Sequence, residues 1–517
     1  MIRRTSLSLS LSLVWLLFAP LTGAELRNAK PFPPTWQAAL DRYANPQNPD
    51  AGIVPGAVVI IKSPIWGTRI GTTGYANIQT HEKYTADSPV RIGSITKTFT
   101  ALTVLSLEQR KLIKLTDPVL KYLGHRRVVP QIPNIDKVTV GDLLAMTTGI
   151  RNYLEADELG FSPLIDAHRH YEPEDLLSVL VPGGTTTLLP VFTPGQTYLN
   201  PYIPIDATAP RNFWPWWNYS NSNYTLLGMI IEEVTGKPVA EAMHEAIMQP
   251  LELDETYYAV GSELPADVVH GYTKEVSTVP SPNWQDITVV DASYAGAAGA
   301  VVSTPAEVLR FGEGIFKTDN VINSGTKEKW LTFASADIHF PMVDYGLGVM
   351  QAHRTYGDAR GHGGKFIGYS ALLYYFFDAD TFFVCSTNTM DGSPEVGMLD
   401  DIMMLVKSAP TNPYSETPRR GSVTLSWQPG RLYGTYQIYV GIDPDAVERA
   451  TADSHPGVQL YTSDDPSVTI KDLRSGIYYW RVDTVVAQPL TVTPAPINGP
   501  AKLPALVNGP VWQLRAR

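Results

Sequence analysis

Two stretches of different periodicity set the fold class this chain predicts. An α/β body, in which an antiparallel sheet is flanked by helices and joined to a helical subdomain, is followed by a small all-β sandwich. Three observations carry the reading. Up to about Ala409, helical apolar stripes alternate with strand-like runs. Within that stretch Tyr369 to Phe377, Asp378-Ala379-Asp380 and Thr381 to Cys385 read as a strand, a tight turn and an antiparallel strand. Beyond Ala409 the pattern changes to short alternating strands separated by Gly, Pro and Asp. With 517 residues, 44% of them hydrophobic, the chain can bury a sizeable core in two or three domains.

The elements follow in chain order. Met1-Ile2-Arg3-Arg4 is basic, Leu7 to Phe18 is apolar and Thr22-Gly23-Ala24 has small residues, so residues 1–24 read as a cleavable signal peptide and the protein as periplasmic or secreted. No later segment is apolar enough to span a bilayer. Without residues 1–24, 38 basic side chains face 51 acidic ones, a net charge of −13. That balance disfavours nucleic acid and anionic membrane surfaces as partners. Cys385 is the single cysteine, which excludes an intramolecular disulfide and reads as a buried strand thiol. The 10 histidines form no H-E-x-x-H pattern and no cysteine–histidine cluster, so no metal or other cofactor is expected.

Ser94-Ile95-Thr96-Lys97 places a serine and a lysine on one face of a helix start, because Ile95, Phe99, Leu102 and Leu105 recur at helical spacing. A serine hydroxyl needs a neighbouring base to become a nucleophile, and the helix N-terminus favours the oxyanion formed in acyl transfer. A second copy, Ser324-Gly325-Thr326-Lys327, reads as a surface turn. Thr139 and Asp142 form a capping box for a helix closed by Gly149. Tyr219-Ser220-Asn221 stands on the loop that enters an apolar helix capped by Gly236. His362-Gly363-Gly364 precedes the strand pair and is placed at a sheet edge. Tyr43-Ala44-Asn45, Tyr75-Ala76-Asn77 and His455-Pro456-Gly457 match the last two patterns by chance, and order and context set them aside.

S-x-x-K, Y-x-N and H-x-G in this order resemble the three elements of the serine β-lactamase and penicillin-binding-protein superfamily, specifically its class C-like branch. Arg91-Ile92-Gly93-Ser94, Leu143-Leu144-Ala145-Met146-Thr147-Thr148-Gly149 and Gly361-His362-Gly363-Gly364 add to the likeness. The resemblance covers about Thr35 to Ala409 and implies a β-lactamase/transpeptidase-like fold. It further implies Ser94 as nucleophile, Lys97 and Tyr219 as its catalytic partners, with Tyr219 the favoured base and the first acceptor of the serine proton left open between the two, and Asn221 as the residue that orients Lys97 and contacts the substrate amide. His362, Gly363, Gly364 and Lys365 then line the substrate, and the N–H groups of Ser94 and Lys365 form the oxyanion hole. A histidine where relatives carry lysine is cationic only near or below its ordinary pKa of about 6.5, so its recognition of a substrate carboxylate would weaken as pH rises.

The substrate is expected to be a peptide or small acyl compound. D-alanyl-D-alanine carboxypeptidase action on peptidoglycan stem peptides is the leading expectation, ahead of carboxylesterase and class C-like β-lactamase. A catalytically silent wall- or glycan-binding protein is the alternative of another class. Set against the resemblance, Tyr198 to Trp217, rich in Pro and Trp, reads as an insertion at the mouth of the site, either a substrate-gripping loop or a self-packed surface loop. The domains read as 25–409 for the hydrolase, 410–420 for a linker and 421–517 for a sandwich that resembles fibronectin type III modules, with glycan or protein docking as its role.

Overall fold

The structure is a computed structural model that describes residues 26 and 28–516, apart from 157–158, 160–165, 184–187, 196, 200–212, 262–263, 276–279, 337–341, 416–421, 431–433, 487–490, 493–500 and 503–505. The expected signal peptide lies outside the described residues. Among those described, no helix is long and apolar enough to cross a membrane.

The body is built on a 10-stranded sheet. Its main strands are β1 (Lys30–Pro31), β2 (Gly56–Ser63), β3 (Gly67–Asn77), β4 (Ala334–Ser335), β5 (Val343–Tyr345), β6 (Met350–Arg354), β7 (Gly357–Phe366), β8 (Tyr369–Phe376) and β9 (Thr381–Thr387). They lie in the order β1-β3-β2-β9-β8-β7-β6-β5-β4, and every neighbouring pair but β1–β3 is antiparallel. The helices used below are α1 (Pro34–Leu40), α2 (Thr96–Gln109), α3 (Val140–Ala145), α4 (Asn221–Thr235), α5 (Pro305–Lys317) and α6 (Pro394–Ser408).

β9 is buried along its whole length because both faces of the sheet are covered. Gly312 of α5 lies against Leu373 and Phe382, where a Cβ would come within 2.8 Å of Leu373 Cδ1. On the other face Cys385 Sγ meets Met398 Sδ of α6 at 3.7 Å. The thiol is buried, as its strand position predicts.

α2 runs through the centre of the body. The expected stripe Ile95, Phe99, Leu102 and Leu105 is fully buried, and Phe99 stacks on Phe311 of α5 at 3.8 Å. From Thr96 to Leu105 the remaining faces are buried too, their threonines being satisfied: Thr98 Oγ1 donates to Gly348 O at 2.8 Å and Thr100 Oγ1 to Ala297 O at 2.7 Å. α4 packs against α2 and α3, forming the helical subdomain. The Thr139–Asp142 capping box is present, but α3 ends earlier than expected, on Met146 in the left-handed region (φ 59°). Gly149 lies beyond it, pressed against Phe192 O. Ser324–Trp330 is a helix capped by Asn323, not a surface turn.

Two small sheets follow. The first joins β10 (Thr411–Ser415), β11 (Val423–Gln428) and β14 (Ser467–Ile470). The second joins β12 (Gly434–Gly441), β13 (Val458–Ser463), β15 (Gly476–Val486), β16 (Leu506–Val507) and β17 (Val511–Ala516). Leu425 and Trp427 of the first share a core with Ile438, Trp480 and Val482 of the second. The stretch expected as linker is therefore corrected: Thr411–Ser415 is hydrogen-bonded into the first sheet, with a register shift between Thr411 and Tyr414 that accommodates Pro413.

Candidate active site

Ser94 sits in a single turn, Gly93–Ile95, that runs straight into α2. Strand β7 crosses this turn at minimal distance. Gly93 adopts a left-handed conformation (φ 50°), and a Cβ there would lie 2.6 Å from Lys365 N. Reciprocally, a Cβ on Gly364 would lie 1.9 Å from Ile92 O and 3.0 Å from Ser94 N. Glycine at both positions lets the backbones touch and brings the nitrogens of Ser94 and Lys365 together, as an oxyanion hole needs.

β7 is an interior strand, yet β6 pairs with it only as far as Gly361. From His362 to Phe366 it is bonded to β8 alone. The third motif thus occupies a local edge inside the sheet.

Lys97, one turn after Ser94, is fully buried. Its Nζ is 2.9 Å from Ser94 Oγ, 2.6 Å from Asn221 Oδ1 and 2.8 Å from Ala298 O. Among the described residues no carboxylate pairs with it, and burial holds its pKa well below the ordinary lysine value. Burial shifts this group toward the neutral amine; in that form two N–H groups can go to the amide and backbone oxygens, which only accept, leaving the lone pair for the Ser94 hydroxyl.

Tyr219 closes the other side. Its hydroxyl is hydrogen-bonded with Ser94, and burial raises its pKa, so the ring is a phenol in the resting site. Lys97 Nζ lies over that ring, 4.9 Å from its centroid. The direction of the pKa change is opposite to the one a tyrosine base at neutral pH needs: desolvation disfavours the phenolate more than the hydrogen bond with Ser94 favours it.

His362 is also corrected. It is 1% exposed, and burial is the main cause that lowers its pKa to about 3. The imidazole is neutral at physiological pH, with Nδ1 2.5 Å from Gly363 O and Nε2 3.2 Å from Tyr345 Oη. It offers no charge to a substrate carboxylate. Gly363 has room beside it, a Cβ meeting nothing nearer than Leu372 Cδ1 at 3.4 Å. The Lys365 side chain is exposed and its ammonium donates to Ser393 Oγ.

The structure thus brings Ser94, Lys97, Tyr219, Asn221, His362, Gly364 and the Lys365 backbone into one cluster. Sequence reasoning missed Ala298 O and Tyr345. The first is a backbone atom with no sequence signature, and the second reaches the site through sheet pairing. The decoys are elsewhere engaged: Tyr43 Oη donates to Asp401, and Lys327 of the second S-x-x-K binds Thr318 O and Asp319 in place of Ser324. No group of three or more His, Cys, Asp or Glu able to hold a metal occurs among the described residues.

A sequence profile described as Beta-lactamase matches residues 41–186 and 190–407. The chain belongs to the Beta-lactamase family. It falls in the superfamily of β-lactamases and penicillin-binding proteins. Among curated relatives, Penicillin-binding protein 4* of Bacillus subtilis is 26% identical over 59% of this chain and 62% of its own length. D-aminopeptidase of Gluconobacter oxydans is 24% identical over 74% of this chain and 62% of its own. The chain therefore spans about six-tenths of the length of these relatives. Among solved structures, a D-stereospecific amidohydrolase from Streptomyces sp. superposes with a TM-score of 0.58 at 29% identity, over 71% of this chain and 97% of that one. The D-amino acid amidase of Ochrobactrum anthropi SV3 shares the fold, with a TM-score of 0.58 at 21% identity over 72% and 97%.

Proposed function

We propose that this member of the family hydrolyses short acyl compounds whose leaving side is uncharged, namely amides and esters, with D-configured acyl groups as the preferred class. The observation that carries the reading is the neutral His362: buried and spent on Gly363 O and Tyr345, it leaves the third motif without a cation for a terminal carboxylate. The amidohydrolase and D-aminopeptidase likenesses support the D-configuration.

In the first half-reaction Ser94 Oγ attacks the carbonyl carbon while its proton passes to the lone pair of neutral Lys97. The N–H groups of Ser94 and Lys365 take the oxyanion. On collapse, the bond to the leaving nitrogen breaks and Tyr219, held as a phenol, gives that nitrogen its proton. Lys97 ammonium and Tyr219 phenolate remain, and one proton transfer between them resets the pair. Water then attacks the acyl-enzyme with Lys97 as base and regenerates Ser94. Asn221 holds Lys97 and is placed to meet the substrate amide. Residues 1–24, read as a signal peptide, would put this activity in the periplasm or outside the cell.

D-alanyl-D-alanine carboxypeptidase action is the second reading, and exposed Lys365 is the feature that favours it, as the cation beside the oxyanion position. Parallel rates on D-phenylalanine amide, its L-enantiomer, an N-acyl-D-Ala-D-Ala peptide, a p-nitrophenyl ester and a chromogenic cephalosporin decide between them. The proposal expects kcat/KM for the D-amide and the ester to exceed that for the carboxylate peptide by tenfold or more. Preference for the peptide, lost in Lys365→Gln, would establish the second reading instead.

A further inference from the structure

Tyr345 stands between the second and third motifs, in strand β5, and touches both. Its ring meets Tyr219 edge-on at 6.4 Å and His362 edge-on at 5.8 Å, and packs on Trp217 at 5.3 Å. It is 1% exposed. The turn that follows is fastened to the helix carrying the nucleophile. Thr98 donates to Gly348 O, and a Cβ on Gly348 (φ 82°) would come within 2.4 Å of Ala101 Cβ and 3.1 Å of Lys97 O.

Proton arithmetic gives the hydroxyl a task. Gly363 O only accepts, so the proton of neutral His362 resides on Nδ1. Nε2 is then a bare lone pair, buried, and needs a donor. Tyr345 Oη is 3.2 Å away. Tyr224 also contacts the Tyr345 hydroxyl but spends its own proton on Leu144 O. One proton therefore serves two acceptors, and the imidazole nitrogen is the stronger.

We propose that Tyr345 is a positioning residue of the acyl-transfer site: by donating to Nε2 it locks His362 as the Nδ1–H tautomer and fixes the ring against Tyr219. Tyr345 acts through His362. Among the described residues no other donor is placed on that lone pair, so without Tyr345 the imidazole is free to turn.

The claim rests on the acyl-transfer chemistry proposed above, and its test separates the two. Tyr345→Phe keeps the ring and removes the donor. Side-chain 15N spectra of the resting protein are expected to show His362 as a single Nδ1–H tautomer in the wild type and as a changed tautomer or protonation state in the variant. With the p-nitrophenyl ester, kcat is expected to fall roughly 10–100-fold with KM held within about twofold, the range found for residues that orient a reacting group. In a His362→Phe background the same substitution is expected to cost almost nothing, because its target is gone. An unchanged 15N signature, or an equal loss in the His362→Phe background, would overturn the assignment. If the wild type turns over no ester, the proposed function fails, while the spectra still judge Tyr345.

Discussion

Gly364 and Ile92 meet so closely that a Cβ on the glycine would stand 1.9 Å from the carbonyl oxygen of Ile92. This crossing is what aligns strand β7 with the turn bearing Ser94. Gly364→Ala must therefore displace one backbone from the other. Overpacking of this kind costs about 1–3 kcal/mol. Urea unfolding is expected to show that loss, and kcat to fall by more than tenfold as the two backbone nitrogens separate. Full activity with an unchanged unfolding midpoint would mean that the crossing does not build the oxyanion site.

Tyr219→Phe should separate amides from activated esters. An amide nitrogen needs a proton to leave, whereas p-nitrophenolate departs without one. Amide turnover is expected to drop on the order of a hundredfold or more, with acylation by the ester retained to within about tenfold. Equal losses on both substrates would return Tyr219 to the role of base for Ser94.

His362 should make the fold sensitive to acid. Its pKa is about 3 in the folded chain and about 6.5 in an unfolded one. The unfolded state therefore binds the extra proton, and the contribution of the neutral ring is complete above pH 6.5 and is lost progressively as pH falls toward 3. Between pH 7 and pH 4 the Tm of the wild type is expected to fall more than that of His362→Gln. Parallel Tm curves would show that the ring is not held neutral.

The C-terminal sandwich is docked, not tethered. A seventh helix, α7 (Pro444–Arg449), brings Glu448 to Lys30 and Arg69, and Asn508 Oδ1 accepts from Thr35 N at 3.2 Å and from Thr35 Oγ1 at 2.8 Å. Val486 and Val507 belong to the main core. A chain ending at Ala409 leaves Arg69, whose side chain is 7% exposed, without its carboxylate. The truncation removes this ion pair and the contacts of Val486 and Val507 with the main core together. The shortened chain is expected to lose at least about 5 °C in Tm while its folded fraction keeps kcat, since the motifs precede the cut. An unchanged Tm would show that these contacts contribute nothing in solution.

What the sequence made legible was local. Ser94 and Lys97 are three apart on one helix, Tyr219 and Asn221 flank a helix start, and Gly364 is glycine because backbones touch there. Each of these has a spacing or a residue type that can be read along the chain. The burial that lowers the pKa of Lys97 and His362 arises from distant segments, among them the Ala298 loop and β5, that no spacing announces. α2 looked amphipathic because its threonines are polar by composition, yet the hydroxyls of Thr98 and Thr100 are satisfied by Gly348 O and Ala297 O, so every face from Thr96 to Leu105 is buried. Thr411 to Ser415 looked like linker because Pro413 disfavours a strand interior, and the register shift there is how the strand admits it.

Lys97 as the neutral base for Ser94 is the centre of this account, and the pH dependence of single-turnover acylation by a p-nitrophenyl ester tests it most directly. The wild-type rate is expected to rise with pH along one ionisation lying well below the ordinary lysine value, as burial of Lys97 requires. Tyr219→Phe should keep that profile. Lys97→Arg, which puts a permanent cation there with no lone pair to accept the serine proton, should lower acylation on the order of a thousandfold. Acylation by Lys97→Arg within tenfold of the wild type, or a profile that vanishes in Tyr219→Phe and survives in Lys97→Arg, would contradict it.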